Sequence, residues 1–162
     1  MSVESVKTLF ENEGMGERVH FNEIISDTVE NAAEMIGCQP AQIAKTMSFI
    51  VDEEPIVIVT SGDAKIDNAK YKGVFSSKAK MIPFARVEEV TGHSPGGVCP
   101  FACKSEVKVY LDESLKRFEI VYTGGGDEHH TVEVNISLLE KLSGYESWID
   151  VCKGWQFYLG LV

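Results

Sequence analysis

The apolar runs TMSFIV (46–51) and IVIVT (56–60), separated by a Glu53-Glu54-Pro55 turn, constrain this chain more than any other feature. Each run is rich in β-branched and aromatic residues and too short for an ordinary helix, so the two read as paired strands. A two-stranded ribbon is marginal alone and needs further strands or helices against its apolar face. The rest of the sequence offers both. The segments VKVYL (107–111), FEIVYT (118–123) and TVEVN (131–135) read as strands, and 18–25 reads as another.

Helical patterns lie between them. Val3, Val6, Leu9 and Phe10 recur at helical spacing before Gly14. Asp27 and Glu30 have the spacing of an N-cap and its N3 partner, Val29, Ala32, Ala33 and Ile36 make one apolar face, and Gly37 ends the helix. Pro40 suits the first turn of a short helix through Ile43. Residues 63–72 read as a helix closing at Gly73, 87–90 as a short one, and Ser137 as the cap of a helix carrying Leu138, Leu139 and Leu142. The expectation is a mixed sheet with helices on it, in one domain over residues 1–162. A chain of this length buries roughly 70% of its unfolded surface and needs no staples. Its tail, 145–162, carries Trp148, Trp155, Phe157 and Tyr158 and is expected to dock on its own core.

Fifteen Lys and Arg against 25 Asp and Glu leave a net charge of −10, which repels phosphates at long range and argues against general nucleic-acid binding. Any RNA contact must be local. Lys65, Lys70, Lys72, Lys78, Lys80 and Arg86 surround the single acid Asp67, either as a solvated surface or as such a contact. The start, MSVESVKTLF, lacks the features of a secretory signal, and no apolar run approaches a membrane span. A cytosolic location, with Cys38, Cys99, Cys103 and Cys152 reduced, is expected.

The stretch TGHSPGGVCPFACKSE (91–106) concentrates the residues with chemical potential. It matches neither the P-loop nor the dinucleotide-binding glycine pattern. Cys99 and Cys103 have the spacing of half a zinc site, but a second pair is missing, because adjacent His129 and His130 on extended chain point to opposite sides. His20, on the strand over 18–25, reads as a packed or surface residue. Cys99 with His93 as base is a nucleophile candidate whose alternative is a small loop residue. Finally, Gly96 and Gly97 can adopt φ values closed to other residues, between stiffening Pro95 and Pro100, and aim main-chain N–H groups at a carbonyl. The alternative there is a tight helix-to-strand connection. Lys45, at a helix-to-strand junction, either binds a phosphate or carbonyl while partly desolvated or reaches out to water.

Taken together, SDTVENAAEMIGCQPAQIAKTMSFIV, PIVIVTSGDAKID, TGHSPGGVCPFA and VYLDESLKRFEIVYTGGG resemble the YbaK and prolyl-tRNA synthetase insertion-domain family of trans-editing aminoacyl-tRNA deacylases, over roughly 28–142. The Lys-Thr element and the G-G-V-x-P-F element of the glycine-rich loop are specific when they occur together in this order and spacing. The resemblance implies an α+β fold with a curved, barrel-like sheet, and a freestanding deacylase acting on Cys- or Ala-tRNA(Pro)-type substrates. It implies Lys45 as the functional lysine, with Thr46, Gly96, Gly97, Val98, Cys99, Pro100 and Gly125 binding substrate. It further implies the acceptor end of mischarged tRNA as partner, contacted by Lys65, Lys70, Lys72, Lys78 and Lys80, an aminoacyl-tRNA synthetase as a further partner, and neither metal nor cofactor. Two departures stand out. Cys99 replaces the loop's usual serine, and in GGGDEHHTVEV Thr131 occupies the position where an acid is expected. Two other function classes are a non-catalytic aminoacyl-tRNA or protein binding module and a metal- or thiol-dependent hydrolase of small esters.

Overall fold

The computed structural model describes residues 2–25 and 28–156. Helix α1 (Ser2–Glu11) seats Val6 and Phe10 in the core, and the chain turns at Gly14 with φ 72°. The strand expected over 18–25 is cut to β1 (Val19–Phe21), because Arg18 belongs to a preceding turn of 3-10 helix. Helix α2 (Val29–Ile36) is capped by Thr28, whose hydroxyl accepts from the Asn31 N–H at 3.0 Å, and Gly37 closes it at φ 86°. Asp27, the expected cap, lies outside the described residues.

Strands β2 (Ala44–Val51) and β3 (Glu54–Ser61) form the expected hairpin. The turn is Asp52-Glu53, one residue earlier than expected, with φ of 51° and 67°. Left-handed values at both central positions match the twist of the flanking strands. Pro55 therefore lies within the strand opposite Ile50, whose N–H donates outward to the Lys80 carbonyl at 2.9 Å, so Pro55 removes no ladder bond. After β4 (Lys65–Ile66), α3 (Asn68–Phe75) starts later than expected: Asp67 is the cap, accepting from Ala69 and Lys70 N–H, and the helix runs through Gly73 to Ser76. Asp63 instead pairs with Arg117 through contacts of 2.6 and 3.0 Å.

Helix α4 (Val87–Thr91) leads into the glycine-rich loop, followed by β5 (Lys108–Asp112), β6 (Ile120–Gly124) and β7 (His130–Asn135). Helix α5 (Ile136–Ser143) is capped by Asn135 rather than Ser137, its side chain accepting from the Leu138 N–H at 2.7 Å. Strands β8 (Ser147–Ile149) and β9 (Cys152–Lys153) complete the described chain.

The architecture is mixed α+β, with the described strands hydrogen-bonded as three sheets. The first runs β2-β3-β5-β8, antiparallel at the hairpin and parallel thereafter; the second is antiparallel β1-β7-β6; the third pairs β4 with β9. A single bridge, Ile43 to Tyr122, links the first two just before Lys45. One apolar cluster gathers Phe10, Phe101, Leu111, Leu115 and Leu139, with Trp148 against it; another gathers Phe49, Ile58, Tyr71 and Val151, with Trp155 against it. Phe157 and Tyr158 lie outside the described residues. No helix among the described residues is long and apolar enough to cross a membrane.

Candidate active site

At the junction of the two larger sheets, α2, the start of β2, the loop after α4 and the β6–β7 turn enclose a cavity of about 210 Å³. Lys45, Thr46, Gly96 and Val98 all line it. Its apolar wall is Val29, Ala32, Ile36 and Ile43. The apolar face of α2 is thus divided: Ala33 is buried in the protein, while Val29, Ala32 and Ile36 border the cavity. Burial holds the Lys45 ammonium below the ordinary lysine value, with Asp63 offsetting the effect and Lys65 adding to it. The Thr46 hydroxyl is buried and has no hydrogen-bond partner among the described residues.

The glycine-rich loop differs from its expected form. Neither Gly96 nor Gly97 has a left-handed φ. Glycine is required at Gly97 for space, since a Cβ there would collide with the backbone of Gly126 and Asp127; one on Gly96 would stand 2.7 Å from Glu128 Cγ and displace that side chain. The Gly97 N–H donates to the Ser94 carbonyl at 2.9 Å, and the Gly97 carbonyl accepts from the Gly126 N–H at 2.9 Å. Its amide is therefore engaged within the loop. The N–H groups of Gly96 and Val98 donate no hydrogen bond among the described residues, and these two residues border the cavity.

Gly97, Cys99, Pro100 and Gly125 do not line the cavity. Cys99 is fully buried, its sulfur 3.6 Å from the Phe101 carbonyl and 3.7 Å from His93 Nε2, and burial pushes its thiol pKa far up. His93 Nε2 is 2.7 Å from the same carbonyl, which can only accept, so Nε2 carries the proton. Burial lowers the His93 pKa and keeps the ring neutral. A raised thiol beside a nitrogen that already donates is not an activated nucleophile. Cys103 donates its S–H to the Cys99 carbonyl at 3.2 Å, and among the described residues no three His, Cys, Asp or Glu are placed to hold a metal ion. Gly125 acts through packing, since a Cβ there would stand 2.8 Å from the His130 Cβ.

The turn between β6 and β7 supplies groups that the sequence reading missed. Asp127, Glu128, His130 and Thr131 line the cavity. Asp127 Oδ1 accepts from the His129 N–H at 2.9 Å and from His130 Nδ1 at 2.8 Å. Burial opposes ionisation of Asp127, but the bonds from His130 and His129 outweigh it and its pKa is lowered. The carboxylate can only accept, so His130 Nδ1 carries a proton and the ring is held in place by Asp127. His129 instead turns its Nδ1 to the Asn22 carbonyl at 2.9 Å, so the adjacent histidines diverge. Acids between a glycine run and a strand opening with histidine were the available signal.

The basic stretch is dispersed. Lys70 bonds Asp150 and the Cys152 carbonyl, each at 3.0 Å. Lys65, Lys72 and Lys78 are exposed and make no ion pair among the described residues. Lys80 and Arg86 border a different hollow, near Ile50 and Pro55. His20, on β1, lies 3.9 Å from Glu133.

The model of the aminoacyl-tRNA editing domain matches residues 26–142. The uncharacterized protein YwhH of Bacillus subtilis (strain 168) is 44% identical over 157 residues, covering 96% of this chain and 100% of that one. The proline–tRNA ligase of Bacillus licheniformis is 31% identical over 114 residues, which are 68% of this chain and 20% of the ligase. Among solved structures, a candidate trans-editing enzyme for prolyl tRNA synthetase superposes with a TM-score of 0.83 at 25% identity, covering 94% of this chain and 98% of that one. The match extends from the cap of α2 to the last turn of α5, and the chain belongs to the aminoacyl-tRNA editing domain family.

Proposed function

We propose that the protein is a freestanding aminoacyl-tRNA deacylase that hydrolyses the ester joining a wrong amino acid to the terminal adenosine of tRNA, with Cys- or Ala-tRNA(Pro)-type substrates. The observation that carries this reading is that Lys45, Thr46, Gly96 and Val98 border one cavity. The cavity suits a small amino acid: its volume is about 210 Å³, and Val29, Ala32 and Ile36 offer an apolar wall to a methyl or thiol side chain. The Gly96 and Val98 N–H groups hold the ester carbonyl and the oxyanion that grows on it, and the Lys45 ammonium secures the tRNA end. Water attacks without a covalent enzyme intermediate, and the ester oxygen leaves with a proton. His130, a cavity-lining residue whose Nδ1 is held by Asp127, is assigned the role of taking a proton from that water.

In this reading the whole chain acts as one cytoplasmic domain, with a synthetase as a further partner. Lys65, Lys72, Lys78 and Lys80, exposed and without an ion pair among the described residues, are the lysines of the basic stretch assigned to the acceptor strand. The test is a deacylation panel on tRNA(Pro) charged with cysteine, alanine or proline, run beside Lys45→Ala. Faster loss of cysteine or alanine than of proline, sharply slowed in the variant, is expected. Equal hydrolysis by both proteins removes the lysine from the mechanism. Binding without hydrolysis of any charged tRNA makes the protein a binding module instead.

A further inference from the structure

Beside the cavity, Phe21 is 64% exposed, although it belongs to a strand paired in register with β7. Phe21 stands opposite His130, so both side chains leave the same face of the strand pair, and their rings meet edge to face with centroids 5.4 Å apart. One ring therefore separates Phe21 from the cavity wall. One face of Phe21 is stacked on His129, with centroids 5.8 Å apart and planes at 19°. Most of the residue nonetheless stays exposed to solvent. The stack is held from below: His129 Nδ1 donates to the Asn22 carbonyl at 2.9 Å, the Asn22 N–H donates to the His129 carbonyl at 2.6 Å, and the Asn22 amide donates to the Thr131 hydroxyl at 3.2 Å. These bonds fix His129 and Asn22, so the exposed Phe21 ring rests on a preorganised backing.

We infer that Phe21, backed by His129, is a stacking platform for a nucleobase at the 3′ end of the tRNA whose ester enters the cavity. The inference rests on the deacylase reading for the identity of the ligand. It also addresses a difficulty in that reading, because a chain of net charge −10 gains little from phosphate contacts. Stacking on an aromatic face needs no charge pairing and accepts any base, which makes it the contact most available to an acidic protein. The platform is on the rim, so it holds the nucleotide while the ester carbonyl reaches Gly96 and Val98.

The experiment uses uncharged tRNA(Pro) with 2-aminopurine in place of the terminal adenine, together with kinetics on the normal charged tRNA. Stacking quenches the 2-aminopurine fluorescence. Wild type and Phe21→Tyr are expected to quench it and Phe21→Ala is not. In hydrolysis, Phe21→Ala is expected to raise KM roughly 5- to 100-fold with kcat within about twofold of wild type. Quenching that survives Phe21→Ala, or its absence with wild type, overturns the platform. So does a dimer in light scattering that Phe21→Ala dissolves while quenching persists, since the ring would then serve a second copy of the chain. Quenching by wild type without hydrolysis of any charged tRNA would sink the deacylase reading and leave the platform standing.

Discussion

Within residues 93–101 one side of the loop borders the cavity and the other belongs to the core. Pro95, Gly96 and Val98 line the cavity, whereas His93, Cys99 and Phe101 have no exposed surface. The residues with the more reactive side chains are the ones withdrawn from substrate. Burial acts on both in the same sense, raising a thiol and lowering a histidine until each is neutral. A main-chain amide has no charge to lose, so the cavity side keeps its polarity through backbone and adds one ammonium from β2. Reactivity in this loop cannot be read from residue type without knowing which way the side chain faces.

The largest expected effect is on the cavity side. Lys45→Ala should lower kcat/KM for mischarged tRNA roughly 10- to 100-fold, the loss of one charge-assisted contact to the tRNA end worth about 1.5–3 kcal/mol. Thermal denaturation should show the fold intact. Next comes the seam between the two sides. Gly97→Ala places a methyl against the Gly126–Asp127 backbone, so a stability loss of about 1–3 kcal/mol in urea titration is expected, with impaired hydrolysis. A variant with wild-type stability would contradict the close approach described here.

On the core side, Cys99→Ser should cost about 1 kcal/mol of stability and leave kcat/KM unchanged. Lost hydrolysis at wild-type stability would move Cys99 back to the substrate. The smallest effect concerns pH. The folded-state pKa of His93 lies below its ordinary value of 6.5, so the unfolded chain takes the proton first as pH falls. The associated stability should be complete above about pH 6.5 and decline as pH drops toward the folded-state value. Urea midpoints across this window should slope less in His93→Gln than in wild type.

Much of the fold was readable because its punctuation is local. The β2–β3 hairpin, the Gly37 stop and the apolar faces of α1 and α5 depend on neighbours in sequence. The errors came where tertiary contacts chose between equivalent residues. Asp63 and Asp67 are both plausible caps, and the salt bridge to Arg117, 54 residues away, takes the first. Thr28 and Asn135 won their caps over neighbours one or two residues off, a difference that spacing alone does not resolve. For the site, Lys45 and the loop were visible as motifs. Asp127 and Glu128 were not, because a turn at Gly126 with φ 110° brings them round to the cavity. The inward thiol of Cys99 is likewise a property of packing around Phe101.

The Ser2 hydroxyl donates to the Gly126 carbonyl at 2.8 Å, across a separation of 124 positions. Gly126 in turn bonds Gly97, so the first helix is a strut beneath the loop. A nascent chain leaving the ribosome thus carries this strut long before the segment it must support has been made. Closure over so long a separation is slow to nucleate, and the pocket should be among the last features to mature during refolding.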